Sequence, residues 1–269
     1  MILKINTLKT NKSAMEKTLY IYGKNAVIEA LENGERTFNR ILISENSRSD
    51  EKIEQIKKLA KNSGIVFQFV NKEKLNQLSE NAQHQGVIAQ ISPIKYEELN
   101  DFIEKNSGEN TSVIIADGIE DSHNLGAIIR SAVCAGVKGI IIPSRRGVLI
   151  NSTVEKTSAG AINYISVIKV NSLVNAVQKL KESDYWVIAS DHHAEDNYSD
   201  IDYTNMNFAL IMGAEHSGIS KSLLNLADFK VKIPMLTNFN SLNVSNATAI
   251  ILFESVRQKL NSDKIKRKK

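Results

Sequence analysis

The sequence predicts an α/β protein in which a small amino-terminal domain precedes a larger domain built on a mostly parallel sheet. Strand and helix patterns alternate along most of the 269 residues. From residue 112 onward the strand patterns are near-continuous runs of Ile and Val, which are typical of strands covered on both faces. Between the two blocks, residues 93–111 are polar and contain Pro93 and Gly108, so we expect a linker with one short helix there.

The amino-terminal block, residues 19–92, is expected to consist of short strands and helices. The stretch NAVIEALENG predicts a helix that ends at Gly34, and DEKIEQIKKLAKNSG predicts an amphipathic helix that ends at Gly64. Strands are predicted for three short apolar stretches: RILIS, IVFQFV and GVIAQIS.

The second block, residues 112–260, starts with the strand pattern SVIIADGI and the helix pattern SHNLGAIIRSAVCAGV. Further strands are predicted for GIIIP, SVIKV, YWVIAS, FALIMGAE and FKVKIPM. We interpret Trp186, near the start of one of these strands, and Cys134, on the helix, as packing residues. Residues 1–18 are expected to be a flexible extension and residues 261–269 a basic tail.

Composition and charge indicate a globular protein with basic ends. Hydrophobic residues make up 42% of the chain, charged residues make up 24%, and the formal net charge is +4. Lysines and arginines are concentrated near both ends, which fits either a polyanionic partner such as RNA or solubilising tails. Charge alone leaves both readings open.

The sequence also indicates a cellular compartment. No stretch approaches the roughly 18 uninterrupted apolar residues of a membrane span. Residues 1–17 lack the apolar block of a secretory signal. Cys134 is the single cysteine, so an internal disulfide cannot form and a reducing compartment is expected. We therefore expect a cytoplasmic protein.

Three polar loops follow predicted strands, at the position where ligands collect in open α/β sheets. The first, residues 117–132, has the sequence DGIEDSHNLGAIIRSA. It places Asn124 at a helix start, where the side chain serves either an anion site or as a cap. Arg130 lies farther along the same helix between apolar neighbours, so it is either a functional side chain or a solvated one.

The second loop, residues 210–220 (LIMGAEHSGIS), contains Gly213 and Gly218, at which the backbone can approach a ligand closely. Glu215 is either a site residue or a first-turn carboxylate of the following helix. The third stretch, residues 238–256 (NFNSLNVSNATAIILFESV), has four asparagines and two serines directly before an apolar helix pattern. That is more polar groups than helix capping requires.

Several common motifs are absent from the sequence. It contains no G-x-G-x-x-G dinucleotide fingerprint, no G-x-x-x-x-G-K-[ST] phosphate loop and no G-x-S-x-G nucleophile elbow. His192 and His193, close to Asp191 and Glu195, suggest a metal site. No second group of ligands matches them, so no metal is expected.

The three loops together resemble a known family. HNLGAIIRSA, LIMGAEHSGIS and IPMLTNFNSLNVSNATAIILFE resemble, in order and spacing, the signature motifs of the SpoU (TrmH-like, SPOUT superfamily) RNA ribose 2′-O-methyltransferases. YGKNAVIEAL and HQGVIAQI resemble landmarks of that family's L30e-like RNA substrate-binding domain. The resemblance covers residues 19–260 and is closest in layout to the bacterial enzymes that methylate a guanosine of 23S rRNA. It implies S-adenosylmethionine as cofactor, RNA as substrate, a homodimer, and a catalytic domain with a deep trefoil knot.

The resemblance also implies roles for the residues that match the motifs. Catalytic roles, including contacts to the target nucleotide, are implied for Asn124, Arg130, Glu215, Ser241 and Asn243. Cofactor binding is implied for Gly213, Gly218, Ile233, Leu242 and Ser245. For Arg130 we expect an orienting or electrostatic role, because a guanidinium holds its proton too tightly to be a good base. With Asn243 directed at the reaction, Ser245 or Asn246 is expected to cap the last helix.

Three alternatives to a 23S rRNA guanosine methyltransferase stay open at this point. Two belong to the same class of enzyme: a tRNA ribose methyltransferase and a resistance-type rRNA methyltransferase. The third is a non-catalytic RNA-binding protein of ribosome assembly with the same fold.

Overall fold

The computed structural model describes residues 19–33, 38–47, 50–79, 83–92, 94–108, 110–215, 217–237 and 241–266. Two β-sheets, one from each predicted block, organise these residues. The predicted extension, residues 1–18, lies outside the described part of the chain.

The amino-terminal block forms a four-stranded sheet. Its strands, in spatial order, are β1 (Leu19–Tyr22), β4 (Val87–Ile91), β2 (Phe38–Ser44) and β3 (Phe67–Val70). Strand β4 is antiparallel to both of its neighbours, whereas β2 and β3 are parallel. The helices are α1 (Lys24–Asn33), α2 (Glu51–Asn62) and α3 (Lys72–Leu78). Helices α1 and α2 cover one face of the sheet, and Leu75 of α3 packs on the other face.

Helix α2 shows why the sequence folds this way locally. Asp50 caps it by accepting hydrogen bonds from the backbone nitrogens of Lys52 and Ile53 at 3.1 and 3.3 Å. Ile53, Ile56 and Ala60 recur at helical spacing and are fully buried against the sheet.

The second block forms a seven-stranded sheet in which every pairing is parallel. Its strands, in spatial order, are β7 (Ser166–Val170), β6 (Gly139–Pro143), β5 (Ser112–Asp117), β10 (Asn207–Gly213), β8 (Tyr185–Ser190), β11 (Phe229–Lys232) and β9 (Asp196–Asn197). The predicted α/β class with a mostly parallel sheet is confirmed. The trefoil knot that the resemblance implies stays a prediction.

Helices cover both faces of this sheet. They are α4 (Leu99–Lys105), α5 (Ser122–Cys134), α6 (Ser152–Thr157), α7 (Leu173–Glu182), α8 (Lys221–Leu224) and α9 (Val244–Lys266). Alternate residues of β5 enter different cores, since Ile114 packs with α5 and α9, and Ile115 packs with α4 and α7. The near-continuous apolar strands of the sequence follow from this two-sided burial.

Two packing interpretations from the sequence are wrong. Trp186 is 49% exposed and packs on Phe229, with ring centroids 5.6 Å apart; it lies near the start of β8, before the residues that pair with β11. Cys134 is exposed at the end of α5. Helix α9 continues to Lys266, into the segment expected to be a basic tail. No helix in the described part of the chain has the length and apolar character needed to cross a membrane.

The amino-terminal domain packs on the larger domain through α6 and the residues after it. Lys156 of α6 places its Nζ atom 5.2 Å from the ring centroid of Tyr22. Glu29 of α1 lies against Gly160, where a Cβ atom would collide with its carboxylate. Gly160 also has a φ of +88°, which favours glycine. A glycine at position 160 therefore leaves room for the Glu29 side chain at this contact between the domains.

The linker helix α4 is anchored on the larger sheet by Phe102, which is fully buried. A Cβ atom at Gly139, the first residue of β6, would lie 2.6 and 2.8 Å from two ring atoms of Phe102. The absence of a side chain at Gly139 therefore makes room for the ring.

We expect Gly139→Ala to lower the free energy of unfolding by about 1–3 kcal/mol, because the added methyl group overpacks the site of the Phe102 ring. Urea denaturation of this variant, of Phe102→Leu and of the double variant measures the coupling. The double variant should lose less stability than the sum of the two single changes. Strictly additive losses would contradict the contact.

Candidate active site

The candidate site lies where two central strands of the larger sheet end. Strands β5 and β10 are neighbours, and their last paired residues are Asp117 and Gly213. The chain leaves β5 toward β6 on one side and leaves β10 toward β11 on the other. Such a divergence of connections opens a crevice at the carboxyl edge of a parallel sheet.

Three predicted side chains meet beside this crevice. Asn124 donates from Nδ2 to Oε1 of Glu215 at 3.0 Å. Asn243 donates from its own Nδ2 to the same Glu215 oxygen at 2.7 Å and to Oδ1 of Asn124 at 2.8 Å. We call Asn124, Glu215 and Asn243 the amide–carboxylate cluster. All of its donors reach Oε1 of Glu215, so Oε2 makes no hydrogen bond to any residue that the structure describes.

Asn243 also accepts hydrogen bonds at the start of helix α9. Its Oδ1 atom accepts hydrogen bonds from the backbone nitrogen of Ser245 at 3.0 Å and from the Ser245 hydroxyl at 2.6 Å. Helix α9 begins at Val244, so Asn243 caps it. The expectation that Ser245 or Asn246 provides the cap is therefore wrong. The hydroxyl of Ser245 is thus engaged with Asn243, and its predicted role in cofactor binding stays a prediction.

The glycines of the second loop make a tight turn that carries Glu215. A side chain at Gly213 would overlap the backbone of Gly218 and Ile219. Ala214 and Gly218 exchange two backbone hydrogen bonds of 3.2 and 2.9 Å, and Gly218 has a φ of +64°. Helix α8 starts only at Lys221, so the reading of Glu215 as a first-turn carboxylate is wrong.

An open cavity of about 580 Å³ borders this turn, and we call it the first cavity. The predicted residues in its lining are Gly213, Glu215, Gly218, Ile233, Ser241 and Leu242. The lining includes apolar side chains such as Met212, Ile219 and Val244. It also includes charged and polar side chains such as Asp191 and Lys232.

The sequence did not predict that His192 and His193 line the first cavity. Their rings lie 3.7 Å apart between centroids, and the backbone nitrogen of His193 donates to Asp191 at 3.0 Å. No group of side chains suited to a metal is found among the described residues. This placement could have been inferred from the order of the strands. The loop with His192 and His193 follows β8, the neighbour of β10, so it lies at the same edge of the sheet.

Arg130 is not joined to the amide–carboxylate cluster. It is exposed on α5, and no hydrogen bond or ion pair links it to another described residue. Its positive charge acts on Glu29 of the amino-terminal domain. Burial raises the pKa of Glu29 above its ordinary value, and the charge of Arg130 opposes that rise. The predicted role of Arg130 in the reaction stays a prediction.

Comparison with known proteins assigns the chain to a family. The sequence model described as "SpoU rRNA Methylase family" matches residues 111–253, and that described as "RNA 2'-O ribose methyltransferase substrate binding" matches residues 20–97. The chain belongs to the SpoU rRNA methylase family. The predicted class of enzyme, an RNA methyltransferase of the SpoU/TrmH type, is thereby confirmed.

Relatives of this SpoU family chain differ in how much of it they match. A "Putative TrmH family tRNA/rRNA methyltransferase" of Staphylococcus saprophyticus is 37% identical over 243 residues, which cover 90% of this chain and 96% of that protein. The structure of the SpoU methyltransferase AviRb from Streptomyces viridochromogenes, in complex with AdoMet, has a TM-score of 0.78 at 22% identity and covers 90% of this chain and 91% of its own. The TrmH/SpoU tRNA modifying enzyme of A. aeolicus has a TM-score of 0.52 at 28% identity, and covers 61% of this chain and 84% of its own.

The cluster can be tested with a change that keeps the shape of Asn243. In Asn243→Asp an oxygen replaces the donating nitrogen, so two carboxylates face each other at hydrogen-bond distance. Their repulsion should lower the free energy of unfolding by about 1 kcal/mol at this exposed site. Because binding of one proton removes the repulsion, we expect a larger loss at pH 8 than at about pH 4.5 in urea denaturation.

The control is Asn243→Ala, which removes the hydrogen bonds to Glu215 and Asn124 without adding a charge, together with the cap of α9 that Asn243→Asp keeps. Its loss of stability relative to the unchanged protein should be the same at both pH values. If the two variants respond to pH in the same way, the side chain of residue 243 does not face Glu215.

Proposed function

We propose that this chain transfers the methyl group of S-adenosylmethionine to a ribose 2′-oxygen of RNA, and that the target is a guanosine of 23S rRNA. The observation that carries the proposal is the amide–carboxylate cluster at the edge of the first cavity. Two amide side chains from separate parts of the chain, Asn124 and Asn243, donate to one oxygen of Glu215, and no described residue occupies the other oxygen. Packing does not require that arrangement.

The first cavity fits the proposed cofactor. Its volume of about 580 Å³ falls within the usual range for small-molecule sites. The apolar side chains of its lining suit an adenine ring, and Asp191 and Lys232 suit the ammonium and carboxylate of an amino acid. S-adenosylmethionine supplies a methyl group on a sulfonium, and the departing sulfur needs no proton. AviRb, which shares the fold, is described in complex with AdoMet.

The residues of this chain would act on the acceptor hydroxyl, which is a weak nucleophile. The free Oε2 of Glu215 would accept a hydrogen bond from that hydroxyl and orient its lone pair. Asn124 and Asn243 would keep the carboxylate in place, and Ser241 would contact the reactants from the cavity wall. Such positioning can contribute several kcal/mol to lowering the barrier.

Two observations support rRNA over tRNA as the target. The substrate-binding model matches residues 20–97, and the A. aeolicus tRNA enzyme aligns with 61% of this chain. A large part of the chain therefore has no counterpart in that enzyme. The matched relative from Staphylococcus is described with both kinds of RNA, so tRNA is the second candidate.

We also propose that the protein acts as a cytoplasmic homodimer. Within one chain Arg130 is not bonded to the cluster, so a second copy would have to bring its own Arg130 to the site. Phe253 and Leu260, on the long helix α9, are 47% and 57% exposed and would be covered by such a partner.

The proposed function makes two direct predictions for the unchanged protein. Calorimetric titration should show binding of S-adenosylmethionine; a protein that does not bind it would favour the non-catalytic RNA-binding alternative. Deletion of the gene should remove a 2′-O-methyl group from a guanosine of 23S rRNA in a map of ribose methylation in total RNA. A loss confined to tRNA would overturn the rRNA target.

The role of Arg130 can be tested together with the dimer. We expect Arg130→Ala to bind S-adenosylmethionine normally and to lose at least about 100-fold in methyl transfer. Arg145→Ala, at another exposed arginine, should keep its activity. If each site uses the partner's Arg130, mixing Arg130→Ala with Glu215→Gln should restore roughly a quarter of the activity, because half of the dimers are mixed and each has one complete site. Full activity of Arg130→Ala alone would refute its role, and no restoration would place Arg130 and Glu215 of one chain in the same site.

A further inference from the structure

A second open cavity, of about 560 Å³, also borders the turn that carries Glu215. The loops after β5 and β6 form its outer wall, and Glu215 borders both cavities. Asn124 of the amide–carboxylate cluster also lines it. The site of the proposed methyl transfer therefore borders two cavities, and the proposed cofactor accounts for only one of them.

Arg146 stands in the wall of the second cavity in an unusual backbone conformation. Its φ is +61°, which is uncommon for a residue with a side chain and recurs at functional sites. Backbone hydrogen bonds from Ser144 to Val170 and from Val148 to Ile119, both 2.8 Å, fix the loop on either side of it. The loop thus holds Arg146 at the cavity although its conformation is unfavourable.

The carboxylates around the second cavity are mostly engaged. Asp117 accepts from the backbone nitrogen of Ser220 at 2.7 Å, and Asp121 accepts from that of His123 at 2.8 Å. Glu215 is held by the cluster.

Glu120 is the exception among these carboxylates. Neither Glu120 nor Arg146 makes a hydrogen bond or an ion pair with any residue that the structure describes. In particular, the two do not pair with each other across the cavity. The second cavity therefore presents one available guanidinium and one available carboxylate to a ligand.

We infer that the second cavity holds the acceptor nucleotide, with Arg146 on its phosphate and Glu120 on the edge of its base; this inference rests on the proposed function. A guanidinium binds phosphate oxygens through a planar fork of donors. A carboxylate accepts two adjacent N–H groups, and guanine offers such a pair at N1 and N2. The ribose between phosphate and base then lies next to Glu215, which borders the first cavity as well.

The proposed contact with the base edge adds a condition on the RNA. A base can use its pairing edge for Glu120 only when it is not paired within a helix. The acceptor is therefore a guanosine in a loop or bulge, or one that is turned out of its helix on binding.

The test uses the full-length protein and 23S rRNA from a strain that lacks the gene, with S-adenosylmethionine as methyl donor. The variant is Arg146→Gly, because glycine adopts a φ of +61° without strain and the loop should keep its conformation. The matched control is Arg145→Gly, which removes the same charge from an adjacent exposed arginine that does not line the second cavity. Calorimetric titration with S-adenosylmethionine shows whether each variant still binds the proposed cofactor.

For Arg146→Gly we expect KM for the RNA to rise about 10- to 100-fold, with kcat and cofactor binding little changed. The slope of log KM against log salt should fall by about 0.7, as for the loss of one phosphate contact on a single strand. Arg145→Gly should stay within about threefold of the unchanged protein. If Arg146→Gly matches the control in KM and in salt dependence, Arg146 does not bind the RNA phosphate.

The base contact has its own test. With transcripts that carry guanosine or adenosine at the methylated position, the unchanged protein should prefer guanosine, and Glu120→Gln should lose at least about tenfold of that preference. An unchanged preference in Glu120→Gln would overturn the role of Glu120. Absence of any methyl transfer by the unchanged protein would overturn the proposed function itself, and this inference with it. Normal transfer with indifferent variants would overturn only the inference.

Discussion

The parallel pairing of β5 with β10 is the constraint on which the rest of the site depends. Six consecutive residue pairs, from Ser112 with Phe208 to Asp117 with Gly213, join two segments that lie far apart in the chain. Because parallel strands end at the same edge, this pairing brings the start of α5 and the turn after β10 together. The turn then borders two cavities, and its one carboxylate lines both. A shift in register between these strands would misplace Glu215 relative to Asn124.

A short series of packing contacts connects the substrate-binding domain to this edge of the larger sheet. Tyr22 of its first strand contacts Lys156 on α6. Helix α6 packs tightly on α5, since a Cβ atom at Gly126 of α5 would lie 2.7 Å from Cβ of Thr157. Helix α5 in turn carries Asn124 and Arg130. Only the short helix α6 thus lies between the amino-terminal domain and helix α5. A displacement of that domain would therefore be transmitted through close packing to the site residues on α5.

Much of the fold was predictable because the relevant signals are local. Runs such as GIIIP and FALIMGAE have the composition of strands buried on both sides, whatever surrounds them. The exposure of Trp186 was not predictable, because it depends on where along β8 the neighbouring strand β11 begins to pair. Likewise, Asn243 reads locally as either a cap or a site residue, and only the position of Glu215 in space shows that it is both. The two free charges at Glu120 and Arg146 come from loops whose proximity is a property of the sheet.

The double use of Asn243 has a consequence for how the protein is made. The third member of the cluster, Asn243, lies after the eleven strands of the described residues, directly before helix α9. A nascent chain can therefore complete both sheets and still lack a side chain that holds Glu215. Because Asn243 also caps α9, the cluster and the start of that helix should become ordered together. A chain that ends before Asn243 can therefore form both sheets but lacks the complete amide–carboxylate cluster.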